Sequence, residues 1–113
     1  MELKYIPKQG DVVSFDFNPT KGHEQSGFRP AVIISNDVFN DNTKMVFVCP
    51  ISSNNKYFPT HYQLEDTKKI NGSVLCEHIR SIDYEVRNLK FIEKLSENDF
   101  ISVITLVNAC IEN

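Results

Sequence analysis

The sequence predicts a mainly β protein with a C-terminal α-helix, folded as one domain over residues 1–113. Short apolar, β-branched runs separated by turn-forming residues recur over residues 11–95, as is typical of strands. Helical spacing of apolar residues follows only after Ser96. A chain of 113 residues can bury one modest core but not two. Many short strands in so small a domain favour a compact antiparallel barrel.

The first two predicted strands flank a polar segment. Val13, Phe15 and Phe17 alternate with polar residues, which is the pattern of a half-buried strand. Residues 31–34 form a short β-branched apolar run, which predicts a buried strand rather than a helix. Such a hairpin can hold acid–base and anion-binding groups together on a rigid sheet. The charged and polar side chains of the segment between the strands are Lys21, His23, Glu24, Gln25 and Arg29.

The middle of the chain predicts one central and one edge strand. Residues 36–43 are rich in Asn and Asp and predict a turn or a single helical turn. Residues 45–49 are apolar at nearly every position and predict a central strand. A loop is expected over residues 50–59, and the polar alternation of residues 60–64 predicts a short edge strand.

The remaining strands precede a terminal helix. A charged connection over residues 65–72 leads to an apolar strand at 73–76, and weaker strand signals cover 81–87 and 89–95. Ser96 and Asp99 form the pattern of a capping box. The apolar residues at helical spacing after this cap are Phe100, Val103, Ile104, Val107 and Ile111.

Two further residues, Ile101 and Leu106, widen the apolar face of the predicted helix. They fit either a wide core contact or a contact with a partner chain.

The net charge of −3 argues by itself against a nucleic-acid partner. Its distribution weakens that argument. Residues 1–90 contain 11 basic and 11 acidic side chains, whereas residues 91–113 contain one lysine and four acids. The excess acidity therefore belongs to the C-terminal segment, and the rest of the chain can still present a local cationic groove to a nucleic acid.

The sequence predicts a cytoplasmic protein without a membrane span, metal or cofactor. It has no apolar run of about 18 residues, and its N-terminal residues lack the apolar region of a signal peptide. The histidines are not at metal-ligand spacing. The three cysteines are odd in number, far apart and in apolar surroundings, so we expect buried, reduced thiols. These cysteines are Cys49, Cys76 and Cys110.

Three blocks of the chain resemble the MazF/PemK/Kid family of toxin endoribonucleases. Residues 18–30, NPTKGHEQSGFRP, are similar to the family's D-P-x-x-G-x-E-Q-x-G-x-R-P loop. Residues 48–53, VCPISS, resemble its strand ending in a hydroxyl residue. Residues 74–83, VLCEHIRSID, resemble its E/D-Q-x-R-x-I-D segment. The blocks occur in the family's order and spacing, and the resemblance runs along the whole chain.

The resemblance implies an SH3-like barrel with a C-terminal helix, usually present as a homodimer. It also implies a sequence-specific, metal-independent endoribonuclease (an mRNA interferase) that cleaves single-stranded mRNA by transesterification. The expected partner is a cognate antitoxin whose disordered acidic segment folds onto the toxin and blocks the RNA groove. Two alternatives stay open: a toxin of the same fold that binds DNA gyrase without catalysis, and a degenerate module that binds only RNA or antitoxin.

When the 2′-hydroxyl of the RNA itself attacks the phosphorus, cleavage needs a base, an acid and a group that stabilises charge on phosphorus. Arg29 matches the family's catalytic arginine, and a guanidinium binds two phosphate oxygens at once; the alternative is an ion pair with Glu24 or Asp16. Ser52 stands where the family usually has a catalytic threonine and keeps the hydroxyl. Its alternative role is to cap a backbone group.

His23 and Glu24 are the alternative catalytic bases. Histidine titrates near neutral pH, and some Kid-like members have the same G-H-E-Q loop with a functional histidine. That branch has Arg and Asp near the third block where this chain has Leu75 and Glu77. Glu77 can replace Asp but Leu75 cannot replace Arg, so the choice between His23 and Glu24 stays open.

RNA contacts are expected from residues near these three blocks. Aromatic faces and amides suit splayed bases, and Lys56 and Arg80 suit phosphates. Tyr57 and Phe58 are further stacking candidates. The predicted RNA-binding residues are Phe17, Gln25, Phe28, Ser53, Asn54, Lys56, Glu77, His78 and Arg80.

Overall fold

The computed structural model describes residues 4–16, 28–54 and 56–112, and these ranges contain seven strands and two helices. The helices are α1 (Asp37–Thr43) and α2 (Glu97–Ile111). The predicted mainly β fold with a C-terminal helix is confirmed. The strands are β1 (Asp11–Asp16), β2 (Phe28–Ile33), β3 (Met45–Ser52), β4 (His61–Gln63), β5 (Ser73–Leu75), β6 (Arg80–Asp83) and β7 (Lys90–Lys94).

The strands pair antiparallel in the order β4-β5-β3-β2-β1-β7. The long strand β3 also pairs with β6, along Met45 to Val48, whereas Ile51 and Ser52 pair with β5. Strand β3 is therefore central and β4 lies at an edge, both as predicted. Closure of these strands into an SH3-like barrel stays a prediction.

Hydrophobic clusters lie on both faces of the sheet. Val12, Val32 and Cys49 belong to the cluster under α2, together with Val103 and Val107 of the helix. Strand β1 was expected to be half-buried, and this is wrong because Val12, on its second face, is fully buried against the cluster beneath α2. The cluster on the opposite face contains Val13, Phe15, Ala31, Ile33, Val46, Val48, Ile82, Tyr84 and Leu89.

Helix α2 begins at the predicted cap. The Ser96 hydroxyl accepts a hydrogen bond from the Asp99 backbone N–H at 3.0 Å. The fully buried Asp99 carboxylate accepts bonds from the Tyr62 hydroxyl at 2.6 Å and from the Asp66 backbone N–H at 2.9 Å. Asp99 therefore fastens the start of the helix to the segment that follows β4.

The apolar face of α2 divides into buried and exposed residues. Leu106 packs against the cluster beneath the helix, whereas Ile101 is 57% exposed. Leu106 is thus a core contact, and Ile101 faces away from the core. No helix in the described ranges is long and apolar enough to cross a membrane.

Three local expectations are corrected. Residues 37–43 form a helix capped by Asn36, longer than the single turn expected. Strand β3 extends through residues 50–52, which were expected to form a loop, because the end of β3 pairs with β5. Cys49 and Cys76 are buried free thiols, but Cys110 is exposed. It lies in the last turn of α2, where the helix extends beyond its buried residues Val103 and Val107.

Candidate functional site

Arg29 and Ser52 lie on neighbouring antiparallel strands. Ala31 of β2 is opposite Pro50 of β3, and Arg29 and Ser52 each lie two residues beyond that pair, toward the same end of the two strands. Both residues line an open surface depression of about 380 Å³. Arg29 is exposed and Ser52 is half-buried, so the sheet presents a guanidinium and a hydroxyl side by side at one surface.

The turn between β5 and β6 supplies the other polar side chains of this depression. The His78 backbone N–H donates to the Leu75 carbonyl at 3.0 Å, which closes the turn. Arg80 begins β6 opposite Val48 of β3. We call this site the cationic depression; its lining residues are Arg29, Pro50, Ile51, Ser52, Leu75, His78 and Arg80.

The lining of the cationic depression matches the chemistry of a nucleotide. Two guanidiniums provide planar, permanently charged donors for phosphate oxygens. Leu75 and Ile51 add apolar surface to the same lining, against which the face of a sugar or base can pack. Four residues predicted from the sequence, Arg29, Ser52, His78 and Arg80, are therefore brought together.

The Ser52 hydroxyl has a defined place at the end of β3. Its Oγ accepts a hydrogen bond from the Asn54 backbone N–H at 3.1 Å, and Asn54 Oδ1 accepts one from the Lys56 backbone N–H at 3.0 Å. The alternative capping role predicted for Ser52 is thus observed. It is compatible with phosphate binding, because a hydroxyl that accepts one bond still has its own proton to donate.

Glu77, next to the cationic depression, forms hydrogen bonds with two side chains and lies within ion-pair distance of a third. Its Oε1 accepts from the Thr60 hydroxyl at 2.6 Å, and its Oε2 lies 2.9 Å from His61 Nε2 and 3.4 Å from His78 Nε2. Partial burial alone would raise the pKa of Glu77, but the hydrogen bonds from Thr60 and His61 outweigh it and hold that pKa below its usual value. Glu77 is therefore an anion at neutral pH.

Residues 8–111 match the family described as PemK-like, MazF-like toxins of type II toxin–antitoxin systems. The chain belongs to this family. It is 36% identical to the endoribonuclease toxin MazF of Escherichia coli K12 over 87 residues, which cover 77% of this chain and 78% of that protein. It is 38% identical to endoribonuclease MazF of Staphylococcus epidermidis over 101 residues, covering 85% and 83%.

Solved structures of MazF proteins have the same fold. MazF of Deinococcus radiodurans superimposes with a TM-score of 0.84 at 29% identity, covering 97% of this chain and 100% of that one. A MazE–MazF structure from the same organism gives a TM-score of 0.83 at 25% identity, covering 96% and 98%. The predicted family, and with it the class of endoribonuclease toxins, is confirmed.

Several predicted site residues of this MazF-like chain lie outside the described residues. These are Phe17, His23, Glu24 and Gln25, and the side chain of Phe28, whose backbone begins β2. Their predicted roles stay predictions.

The remaining predicted RNA-binding residues are spread along the surface. Ser53 and Asn54 are exposed directly after β3. Lys56 lines a separate depression of about 310 Å³ together with Tyr57 and His61. Lys56 is therefore not brought next to Arg29.

Sequence reasoning missed Thr60 and His61, the two side chains that hold Glu77. A signal was present, because His61 stands on the predicted edge strand. In the structure His61 is opposite Leu75, the last residue of β5, and this register carries its side chain to the turn that contains Glu77. Among residues 4–16, 28–54 and 56–112, no group of three His, Cys, Asp or Glu side chains is arranged to hold a metal ion.

Proposed function

We propose that this MazF-like toxin is a sequence-specific, metal-independent endoribonuclease that cleaves single-stranded mRNA by transesterification. Cleavage of RNA is the activity of the curated MazF relatives. The observation that carries the proposal is the cationic depression, where Arg29, Ser52 and Arg80 surround a space large enough for a phosphodiester group.

The substrate supplies the nucleophile of this reaction. The RNA 2′-hydroxyl attacks the adjacent phosphorus, and the bond to the 5′-oxygen breaks. Arg29 binds two non-bridging phosphate oxygens and stabilises the charge that accumulates on them, and the Ser52 hydroxyl donates to one of these oxygens. Arg80, the first residue of β6, binds the same phosphate. His23 and Glu24 are the candidate bases from the sequence.

Specific recognition is assigned to side chains around the cationic depression. Ser53 and Asn54, exposed beyond Ser52, offer hydrogen bonds to base edges, as do Gln25 and Glu77. The separate depression at Lys56 places a cation beside Tyr57, which is 85% exposed. A lysine beside an exposed aromatic ring suits the phosphate and base of a neighbouring nucleotide. Phe17 and Phe28 are further candidates for base stacking.

We propose that the partner protein is a cognate antitoxin with a disordered acidic segment. Solved relatives include MazE–MazF structures. An acidic segment that folds onto this chain would place carboxylates on Arg29 and Arg80 and so exclude the RNA phosphate. A homodimer is the proposed assembly, and the cytoplasm, where mRNA and reduced thiols occur, is the proposed compartment.

Incubation of a long single-stranded RNA with wild-type, Arg29→Ala and Lys90→Ala proteins, in excess EDTA and with the ends mapped, tests the proposal. Lys90 is an exposed cation on β7 and controls for the loss of charge. Cuts at one short recurring word, made by wild type and Lys90→Ala but lost with Arg29→Ala, are expected. Intact RNA with folded wild-type protein would favour the gyrase-binding or the purely RNA-binding alternative. Cleavage by wild type that is abolished by EDTA, or cleavage that persists with Arg29→Ala, would contradict the mechanism.

A further inference from the structure

Two histidines share one carboxylate beside the cationic depression. His61 Nε2 and His78 Nε2 lie 2.9 and 3.4 Å from the same Glu77 oxygen, Oε2. Only one of the two rings, that of His78, lines the cationic depression with Arg29 and Ser52. The family's third block has glutamine at this position, between the acid and the arginine, so the imidazole is a departure of this chain from that motif.

We propose that His78 is the general base that takes the proton of the RNA 2′-hydroxyl, and that Glu77 is its positioning residue. This inference rests on the proposed RNA cleavage, because it assigns a role within that reaction. It gives His78 the role for which the sequence offered His23 and Glu24, and it leaves Arg29 and Ser52 acting on the phosphate.

The contact with Glu77 selects the nitrogen that can act. His78 Nε2 lies 3.4 Å from the carboxylate oxygen Oε2, and a carboxylate on that side favours the ring proton on Nε2 and leaves the lone pair on Nδ1. The carboxylate is itself fixed, since the Thr60 hydroxyl and His61 Nε2 bind it from the segment that begins β4. Glu77 thus places a negative charge beside the His78 ring, which stabilises the imidazolium that forms when Nδ1 accepts a proton.

The charged groups around His78 come from four parts of the sheet. Arg29 of β2 and Arg80 of β6 line the cationic depression together with it. Glu77, in its own turn, and His61 of β4, through Glu77, lie on the other side of the ring. A neutral ring before the reaction and a stabilised imidazolium after proton transfer are the two states that a base requires.

The reaction needs no reactant besides the RNA and water. His78 Nδ1 accepts the 2′-hydroxyl proton as the 2′-oxygen bonds to phosphorus and the bond from phosphorus to the 5′-oxygen breaks. The departing 5′-oxygen takes a proton from water, and the imidazolium returns its proton to the hydroxide so formed. The products carry a 2′,3′-cyclic phosphate and a 5′-hydroxyl.

Single-turnover cleavage at saturating protein separates this role from RNA binding. His78→Gln keeps a donor toward Glu77 and the side chain of the family motif, but an amide cannot accept the proton. We expect its rate to fall about 100-fold or more, with an RNA dissociation constant within about threefold of wild type. His78→Ala should show the same fall in cleavage rate, and free imidazole added to the buffer should restore part of that rate.

Glu77→Gln tests the positioning role, with Glu85→Gln as the matched control in the exposed turn after β6. We expect Glu77→Gln to slow cleavage without rescue by imidazole, because the ring is still present. The rise of the wild-type rate between about pH 5 and 8, where histidine titrates, should be lost in His78→Gln, displaced in Glu77→Gln and unchanged in Glu85→Gln.

The outcomes distinguish the inference from the proposed function. If wild type cleaves and Arg29→Ala does not, but His78→Gln cleaves at the wild-type rate or only binds RNA less tightly, the base is another residue and the inference is wrong. If folded wild-type protein leaves RNA intact, the proposed function itself fails.

Discussion

A Cβ built on Gly72 would lie 2.4 Å from the carbonyl oxygen of Ser52. Gly72 also has a φ of +147°, a backbone angle that residues other than glycine rarely adopt. Because glycine has no Cβ, the backbone before β5 can approach the end of β3 this closely. The position of the Ser52 hydroxyl in the cationic depression therefore depends on a glycine in another part of the sequence.

We expect Gly72→Ala to destabilise the protein by more than about 2 kcal/mol and to slow RNA cleavage by the folded fraction. Gly10→Ala is the matched control, because Gly10 also has a positive φ, +91°, but its nearest neighbours would lie 3.8 Å from the added carbon. Urea unfolding and single-turnover cleavage measure both effects. Equal losses of stability in the two variants would show that backbone strain alone, without the clash, sets the cost.

The Ser52 hydroxyl should matter more than the size of the side chain. Ser52→Ala removes a donor from the phosphate site, and we expect cleavage to slow by about 100-fold. Ser52→Thr keeps the hydroxyl and restores the residue usual in the family, so its rate should stay within about fivefold of wild type. A Ser52→Ala protein that retains the wild-type rate would assign the hydroxyl to the Asn54 turn alone.

Arg80 should contribute to the salt dependence of RNA binding. If it neutralises one phosphate, Arg80→Gln lowers the slope of log affinity against log salt concentration by about 0.7. Lys90 is an exposed cation on β7, and Lys90→Gln should leave that slope unchanged. The measurement is fluorescence anisotropy of a labelled single-stranded RNA over a salt series. Identical slopes for the two variants would remove Arg80 from the RNA contact.

The free energy of unfolding should decrease at acidic pH, in part because the Glu93 carboxylate becomes protonated. Its carboxylate accepts backbone N–H bonds from Lys68, Lys69 and Ile70, and these outweigh partial burial and lower its pKa below the ordinary 4.5. The stabilisation is complete above that ordinary value and is lost as the pH falls through the lowered pKa. Glu93→Gln should therefore be less stable than wild type at neutral pH, and the difference should shrink with acid.

Urea unfolding at several pH values between about 3 and 7 checks this prediction. Glu85→Gln, an exposed glutamate in the turn after β6, controls for the loss of a negative charge. A constant difference between wild type and Glu93→Gln at all pH values would contradict the role of the ionised carboxylate.

Local patterns predicted most of the fold because they are set within a few residues. The apolar run of β3, the polar alternation of β4 and the Ser96 cap each appear in the structure. The extension of β3 to Ser52 was not predictable in this way, because it follows from pairing with β5. The exposure of Cys110 likewise depends on where the packing under α2 ends.

The candidate site was predicted in part for the same reason. Arg29, Ser52 and Arg80 stand in sequence blocks whose strands are neighbours in the sheet, so the motifs predicted their proximity. The contact between His61 and Glu77 depends instead on the register of β4 against β5. That register is set across a long connection held by Glu93 and Asp99, and no local pattern reveals it.

The uneven burial of the cysteines gives the protein a single natural attachment point for a probe. Burial raises the pKa of the Cys49 and Cys76 thiols to about 12, so neither forms a reactive thiolate at neutral pH. Cys110 is exposed on α2, away from the lining of the cationic depression. A maleimide dye will therefore label the wild-type chain at one position, and its anisotropy can report subunit exchange or antitoxin capture without any engineered cysteine.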